Sequence, residues 1–524
     1  MRPTNSKQDD RQLLLRTRRD FIRQAACAAV GTVGMSNALR DFRFINSALA
    51  QTGGAFTDYK AMVCIFMSGG NDCNNFIIPR GAGYSNYNAA RQILAIPLQA
   101  IETGDDPLTT GAVETNAPTS IFPINNDGNE YGFHPSCTEL ASLFNAGKLA
   151  TMFNTGPLLY PITRDQYQKK TVSTPPQLFS HSDQVTHWQT SLPDQPPKTG
   201  WGGRAADKLH PYQYDLSYVG STPNQAQIAL CTSLAGANTF EVGNDVQQYH
   251  VSTGGAVTLS SPYTAGTPAH TNRKTALLGM LNQPNPNLQV GAFGEVMNRA
   301  IVSADTLNTA ITPTAATNYF TTAFPTTSLG NQLKMVARLI AGRDTLKIKR
   351  QIFFVSVGGY DTHTSQVGNT ANPGNTLYGS HANLLNELSE AIGAFQAGIE
   401  QIAAGAYGGG DLVNKVVGFT ASDFGRTFPS NGQGSDHGWG SHHIIFGGDG
   451  TSTGAVKGKR TYGQFPVLQI NGPNDTSTGR WIPTTSVDQY SATLAKWFGI
   501  NSTNMPYVFP NLGRFAVPDL GFMA

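Results

Sequence analysis

The chain contains Gln351-Ile-Phe-Phe-Val-Ser-Val357, followed by Gly358-Gly359-Tyr360-Asp361-Thr362-His363. The first seven residues, mostly β-branched or aromatic, are typical of a strand that is buried on both faces of a parallel sheet. The glycine pair lets the chain turn, so Asp361 and His363 stand at the carboxyl end of this strand. Open α/β sheets bind their ligands outside the carboxyl ends of the strands. We therefore expect this segment to belong to a binding crevice.

A second strand ends in the same way. Tyr59–Met67 is an apolar run, and Gly69-Gly70-Asn71-Asp72 follows it. Asn71 and Asn75 are candidates for binding a substrate group, with hydrogen bonding to the loop backbone as the alternative.

The third polar segment combines Thr420–Thr427 with the glycine-rich loop Gly434–His443. Its Asp436-His437 pair suits a divalent metal ion, because carboxylate and neutral imidazole are both metal ligands. The alternative is a mobile polar loop. Arg426 could bind an anionic oxygen with two hydrogen bonds, or form a local ion pair with Asp423.

Strands and helices alternate along the chain. Helices are predicted from Pro135-Ser136 to Gly147 and at Ala292–Ile311, Asn331–Ala341, His381–Ile402 and Val487–Phe498. Further strands are predicted at Lys148–Asn154, Leu412–Phe419, His443–Phe446 and Phe465–Ile470. This alternation predicts an α/β fold with a doubly wound, mostly parallel sheet sandwiched by helices. Residues 205–270 carry short β-like runs and turn residues, which indicates a β-rich insertion.

Composition limits the class of protein. The 524 residues are 39% hydrophobic and only 13% charged, which suits either one large α/β core with insertions or two domains. We expect a single α/β domain over residues 51–524. Nine of the 36 basic and four of the 34 acidic side chains lie in residues 1–50, so the remainder carries a formal charge of −3. This nearly balanced charge does not indicate a basic surface of the kind that binds nucleic acid.

Residues 1–50 have the features of an export signal. Thr17-Arg-Arg-Asp-Phe-Ile-Arg23 matches the twin-arginine pattern, Ala25–Ala38 is a short apolar stretch, and Ala48-Leu-Ala50 is a small-x-small cleavage site. We expect a mature chain that passes the twin-arginine translocon already folded and is periplasmic or secreted. No other segment reaches 18 apolar residues, so we expect no permanent membrane anchor.

Several of these motifs, in this order, resemble the bacterial domain-of-unknown-function 1501 family. They are the export signal, Gly69–Asp72, Gly203-Arg204, Gly358–His363, and Ser422–Thr427 with Asp436-His437-Gly438. The resemblance covers nearly the whole mature chain. That family is grouped with the alkaline phosphatase and sulfatase superfamily, so the resemblance implies an alkaline phosphatase-like sandwich with metal ions at the carboxyl ends of the strands.

The resemblance also implies two sets of metal ligands. Asp72, Asp436 and His437 would hold one divalent ion. Asp361, His363 and either His442 or His443 would hold the other. His363 follows Asp361 by two positions, whereas the superfamily pattern has four. The ions, which could be Zn²⁺, Mn²⁺ or Ca²⁺, would clamp the attacking and departing oxygens of an ester substrate.

The superfamily places its nucleophile at a helix N-terminus, where the dipole and free amides stabilise negative charge. Ser180 and Ser182 precede a helix predicted through Trp188, and Ser182 is the preferred candidate because Asp183 follows it. Helix capping is the alternative role for both serines. His181 could bind a substrate group or a metal ion, or orient Asp183.

The sequence thus predicts an exported, metal-dependent hydrolase that acts on phosphate esters, and less readily on sulfate esters, of a small molecule or a polymer. No Gly-x-Ser-x-Gly motif is present, which disfavours the α/β-hydrolase design. The alternative is a catalytically inactive exported protein that binds metal or serves a structural role in the same fold.

Overall fold

A computed structural model describes residues 56–103, 118–125, 129–210, 228–264, 266–312, 319–407 and 409–524. The export signal predicted at residues 1–50 lies outside these ranges and stays a prediction, as does the part of the predicted insertion at residues 211–227.

The described residues contain strands and helices that alternate as expected. The strands are β1 Lys60–Met67, β2 Ile77–Arg80, β3 Ser120–Ile121, β4 Glu130–Phe133, β5 Leu149–Gly156, β6 Cys231–Ser233, β7 Tyr249–His250, β8 Arg350–Val357, β9 Val416–Ser422, β10 Ser441–Gly447, β11 Thr461–Tyr462 and β12 Thr485–Ser486. The α-helices are α1 Cys73–Phe76, α2 Ala82–Arg91, α3 Leu98–Thr103, α4 Thr138–Asn145, α5 Arg164–Lys169, α6 His181–Thr190, α7 Trp201–Leu209, α8 Pro268–Leu281, α9 Leu288–Ala310, α10 Ser328–Ala341, α11 Arg343–Leu346, α12 Ser380–Ala404, α13 Val487–Phe498 and α14 Met505–Val508.

The central sheet has the strand order β11-β5-β10-β9-β1-β8-β6-β7, and β12 also pairs with β5. Its pairs are parallel except those of β10, which runs antiparallel to both β5 and β9. A small antiparallel sheet has the order β2-β4-β3. The prediction of an α/β fold with a mostly parallel sheet is confirmed.

Helices cover both faces of the central sheet because its middle strand β1 is apolar on both sides. Val63 and Ile65 pack into an apolar core that includes Leu388 of α12, whereas Cys64 and Phe66 pack into a second core that includes Leu494 of α13. Successive strand residues point to opposite faces, so an uninterrupted apolar strand requires a cover on each.

The predicted insertion and two of the predicted strands differ in detail from the sequence expectation. The predicted strand Leu412–Phe419 begins with a 3₁₀ helix, Leu412–Lys415, before β9. Short strands β6 and β7, from within the predicted insertion, extend one end of the central sheet through pairing with β8. The predicted strand Phe465–Ile470 contains no strand. Pro466 cannot donate to a strand ladder, and Phe465 packs instead against Tyr131 and Phe153 with ring centroids 5.0 Å from each.

The described part of the chain has no helix with the length and apolar character needed to span a bilayer.

The three central strands end level with one another. Met67 of β1 pairs with Val357 of β8 on one side and with Ser422 of β9 on the other. The polar segments that follow these strands therefore leave the sheet at one place, as their order in the sequence suggested.

Candidate metal centre

The segments that follow β1 and β8 are in direct backbone contact. Tyr360 N donates to Ser68 O across 3.2 Å. Gly69 has φ +116°, and a Cβ atom there would lie 2.4 Å from the backbone nitrogen of Asp361. Only glycine permits both this conformation and this approach, so the glycine after β1 fixes where Asp361 stands.

Four side chains converge at this point, and we call them the His–Asp cluster: His181, Asp361, His363 and His437. Asp361 Oδ1 lies 3.2 Å from His363 Nε2 and 3.3 Å from His437 Nε2, while Asp361 Oδ2 lies 3.4 Å from His181 Nε2. The Nε2 atoms of His363 and His437 are 2.8 Å apart. Asp361 keeps 44% of its side-chain surface exposed, so solvent and ligands can reach the cluster.

Each imidazole of the cluster is held through its other nitrogen. His181 Nδ1 donates to Asp423 Oδ2 across 2.7 Å, and His363 Nδ1 donates to Asp436 Oδ1 across 2.9 Å. His437 Nδ1 donates to the carbonyl of Phe179 across 2.7 Å. An imidazole that donates through Nδ1 in its neutral form presents an Nε2 lone pair. All three rings therefore direct a ligand-type nitrogen towards Asp361.

Local backbone structure delivers these side chains. His181 is the first residue of α6, and Asp423 immediately follows β9. The loop that carries His437 pairs with the segment after β9: Gly438 N donates to Gly425 O across 2.7 Å and Thr427 N donates to the carbonyl of Asp436 across 2.8 Å.

Arg426 holds the carboxylate of the cluster. Its guanidinium is fully buried, and Nη1 donates to Asp361 Oδ1 across 2.6 Å and to the carbonyl of Gly69 across 3.1 Å. Nη2 donates to the carbonyl of Ser435. Arg426, predicted to bind a substrate oxygen or pair with Asp423, is thus hydrogen-bonded to protein groups, and its ion pair is with Asp361.

The surroundings shift the pKa values of the carboxyl groups in opposite directions. Burial raises the pKa of Asp361, but the hydrogen bond and charge of Arg426, with His363 and His181, outweigh it and hold that pKa below its ordinary value. Burial raises the pKa of Asp423, and its hydrogen bond from His181 only partly opposes this. Burial also lowers the pKa of His437, which favours the neutral, ligand form of this imidazole.

The donor set fits a divalent metal ion. One ligand atom each from His181, Asp361 and His437 lies within 4.8 Å of the others. His181 Nε2 is buried without a hydrogen-bond partner, which is costly for a polar atom unless a ligand binds there. Imidazole and carboxylate are ordinary ligands of zinc and related ions, and ligand histidines commonly donate their second N–H to a carboxylate or carbonyl.

A family model described as "Protein of unknown function (DUF1501)" matches residues 59–510. The chain belongs to this family. Among the curated proteins, no match is found for this DUF1501 chain. Among solved structures, "Crystal structure of Ps i-CgsB" is similar at 10% identity and a TM-score of 0.27, covering 87% of this chain and 77% of the other. "Crystal structure of Ps i-CgsB in complex with k-i-k-neocarrahexaose" is similar at 10% identity and a TM-score of 0.26, with the same coverage.

Asp72 of this DUF1501 protein lies in a different setting from the cluster, although it was predicted to be a metal ligand. It is fully buried and forms an ion pair with Arg91. Its carboxylate also accepts hydrogen bonds from the side chain of Gln366 and from Asn74. The backbone of the loop and a buried guanidinium thus occupy the oxygens that a metal ion would need.

Three further predicted site residues are also buried in polar contacts of their own. His442 lies in β10, where Nδ1 accepts from the backbone nitrogen of Asn154 across 3.1 Å. Asn71 Oδ1 accepts from His381 Nε2 across 3.0 Å. Asn75 Nδ2 donates to the carbonyl of Leu94 across 2.7 Å. The structure thus brings together Asp361, His363, Asp436, His437 and His181 of the predicted set, but not these three or Asp72.

Both candidate nucleophiles lie at the start of α6, next to His181. Ser180 Oγ donates to Asp183 Oδ2 across 2.6 Å, and Ser182 Oγ donates to the same oxygen across 3.3 Å. Ser180 occupies the N-cap position, but its side chain makes no capping hydrogen bond to the backbone. Asp183 thus binds the two serine hydroxyls, and the predicted contact between Asp183 and His181 is replaced by that of His181 with Asp423.

Sequence reasoning missed Asp423 as part of the site. It assigned this residue only to a local ion pair, yet Asp423 orients His181 and also accepts from the backbone nitrogen of Gly69 across 3.1 Å. A signal was available, because Asp423 directly follows an apolar strand, just as Asp72 and Asp361 follow theirs after glycines.

Proposed function

We propose that this DUF1501 protein is a metal-dependent hydrolase that acts on phosphate esters, with sulfate esters as less favoured substrates. The observation that carries the proposal is the His–Asp cluster, where three oriented imidazoles surround a partly exposed carboxylate at the carboxyl ends of the central strands. Such a position is where open α/β sheets bind ligands.

His181, Asp361 and His437 would hold the ion, with Zn²⁺, Mn²⁺ or Ca²⁺ as candidates. When bound, a divalent ion supplies positive charge that stabilises the charge developing on ester oxygens. Arg426 contributes by keeping Asp361 ionised and fixed, and Asp423 contributes by fixing the ring of His181.

The first turn of α6 is suited to the binding of an anionic substrate. The first N–H groups of a helix lack intrahelical partners and favour negative charge, and His181 places this turn beside the cluster. Ser182 is exposed there, and its hydroxyl already donates to Asp183. In the proposed reaction, Ser182 Oγ attacks the phosphorus atom and its proton passes to Asp183, while the bond from phosphorus to the ester oxygen breaks and the alcohol leaves with a proton from solvent. Water then cleaves the phosphoserine, which releases phosphate and returns the hydroxyl of Ser182.

The test combines metal content with hydrolysis of an aryl phosphate. We expect His437→Ala to lose both bound metal and activity, whereas His250→Ala, an exposed histidine of β7, should keep both. Ser182→Ala should keep the metal and lose at least about 10³-fold in rate, the scale expected when a nucleophile is removed. If Ser182→Ala stays active, we expect Ser180→Ala to lose the activity instead, which would identify Ser180 as the nucleophile.

A second candidate function is metal binding without catalysis. Two observations favour it: both serine hydroxyls are hydrogen-bonded to Asp183, and the guanidinium of Arg426 is hydrogen-bonded to protein groups. Metal-replete protein that hydrolyses neither phosphate nor sulfate esters in a broad panel would contradict the hydrolase proposal and support this candidate.

A further inference from the structure

We infer that the His–Asp cluster is built for a first-row transition-metal ion such as zinc, with His363 as a ligand beside His181, Asp361 and His437, and is not built for calcium or magnesium. This inference rests on the metal site of the proposed function and specifies its ligands and its ion. Asp423 and Asp436 then act as positioning residues for two of the ligands.

The donor atoms are mainly nitrogen. The carboxylate of Asp361 lies beside three Nε2 atoms, and the distances from its oxygens to these nitrogens are 3.2, 3.3 and 3.4 Å. Two ligand atoms that each lie about 2.0–2.2 Å from one tetrahedral ion are separated by about 3.3–3.6 Å. Calcium takes six to eight oxygen ligands and magnesium also prefers oxygen, whereas imidazole suits zinc, copper, iron and nickel.

His363 enters the ligand set because of its contact with His437. Both rings donate through Nδ1, one to Asp436 and the other to the Phe179 carbonyl, so both Nε2 atoms present lone pairs. These atoms are 2.8 Å apart. Two lone pairs at that separation repel unless a proton or a metal ion lies between them. A metal ion bound by both nitrogens would remove this repulsion and move the two atoms to about 3.3–3.6 Å from each other.

The hydrogen bond between His181 and Asp423 permits a test with two matched variants. Asp423 is almost fully buried, with 3% of its side-chain surface exposed, and holds His181 through one hydrogen bond. An asparagine at this position keeps an acceptor oxygen for His181 Nδ1, whereas an alanine removes it. Loss of such an anchor costs about 10- to 100-fold in metal affinity in characterised sites.

The experiment titrates the metal-free mature protein with Zn²⁺ and, separately, with Ca²⁺ in a calorimeter, and records the visible absorption of the Co²⁺ form. We expect Zn²⁺ to bind at least about 100-fold more tightly than Ca²⁺. His363→Ala and His363→Gln should each weaken Zn²⁺ binding by about 100-fold, the upper end of the loss seen when a supporting group of a metal site is removed. Both should also alter the Co²⁺ spectrum, and His250→Ala should do neither. Asp423→Ala should weaken Zn²⁺ binding by about 10- to 100-fold, and Asp423→Asn by less.

Tighter binding of Ca²⁺ than of Zn²⁺ would overturn the inference, as would unchanged affinity and an unchanged Co²⁺ spectrum in both His363 variants. Circular dichroism on each variant confirms that it is folded. Failure of the proposed function has a different signature: the expected metal data with no ester hydrolysis would contradict only the hydrolase proposal. Hydrolysis that Ca²⁺ supports and Zn²⁺ does not would contradict only the present inference.

Discussion

Asp72 and Asp361 show how the neighbours of a carboxylate decide its role. Both follow an apolar strand and a glycine pair, so the local sequence makes them equivalent. Asp72 is fully buried against the guanidinium of Arg91, whereas Asp361 is partly exposed among three imidazoles. Burial raises the pKa of Asp72, but the charges of Arg91 and His381 and other contacts outweigh it, so the ionised pair is a structural unit.

The two aspartates should therefore respond in opposite ways to the same substitution. Asp72→Asn should lower the free energy of unfolding by about 3–5 kcal/mol, because it leaves the buried Arg91 without its charged partner. Metal content of the folded fraction should not change. Asp361→Asn should instead reduce metal affinity. It also removes the charged partner of Arg426, but with a smaller effect on stability, because Asp361 is partly exposed and solvent screens this pair. Urea unfolding and elemental analysis measure both quantities, and an Asp72→Asn protein that is fully stable but metal-free would contradict this assignment.

At the scale of strands and helices, the sequence predicted those elements whose signals are local. Helix α13 has the predicted bounds, Val487–Phe498, because Ser486 and Gln489 form a capping box at its start and a glycine follows its end. Strands β1 and β8 were predicted because apolar runs end in glycine pairs. Contacts between distant segments carry no such signal. The bond between His181 and Asp423 joins residues 242 positions apart, so the local sequence marks Asp423 as the residue after a strand but not as the partner of His181.

The contact between the two strand exits gives a prediction about glycine. Gly69→Ala would place a Cβ atom 2.4 Å from the backbone nitrogen of Asp361, at a φ of +116° that alanine disfavours. We expect a loss of about 2–4 kcal/mol in unfolding free energy, together with weaker metal binding because Asp361 must move. Thermal unfolding and metal titration measure these effects.

Gly358→Ala is the matched control, because no heavy atom lies within 4 Å of the Cβ position there and φ is outside the left-handed range. Its stability should stay within about 0.5 kcal/mol of the parent. Equal losses in the two variants would show that the approach of the two backbones does not position Asp361.

At the scale of the whole molecule, the sequence indicated one large mostly parallel sheet but not its strand order. β10 lies between β5 and β9 and runs antiparallel to both. Strand order depends on packing between segments that are far apart in the sequence. A single sequence does not reveal which of these segments become neighbours. The two cores on opposite faces of the sheet are the result, and together they enclose ionisable groups that the local sequence does not mark as buried.

Glu241 is such a group, and it should make the stability of the whole fold depend on pH. Burial raises its pKa from an ordinary value of 4.5 to about 8, and a hydrogen bond from Asn238 only partly opposes this. The folded state therefore keeps a proton that the unfolded state releases. Stability from this group is fully present below about pH 4.5 and is lost as the pH rises towards 8.

Glu241→Gln resembles the protonated acid at every pH, so it should remove this dependence. We expect the variant and the parent to have similar unfolding free energies near pH 4.5, and the variant to be more stable at pH 8 by on the order of 4 kcal/mol. Urea unfolding across this range measures the difference, with Glu295→Gln at an exposed site of α9 as the control. Parallel stability curves for the parent and Glu241→Gln would mean that Glu241 is ionised in the fold, which requires a buried positive partner beside it.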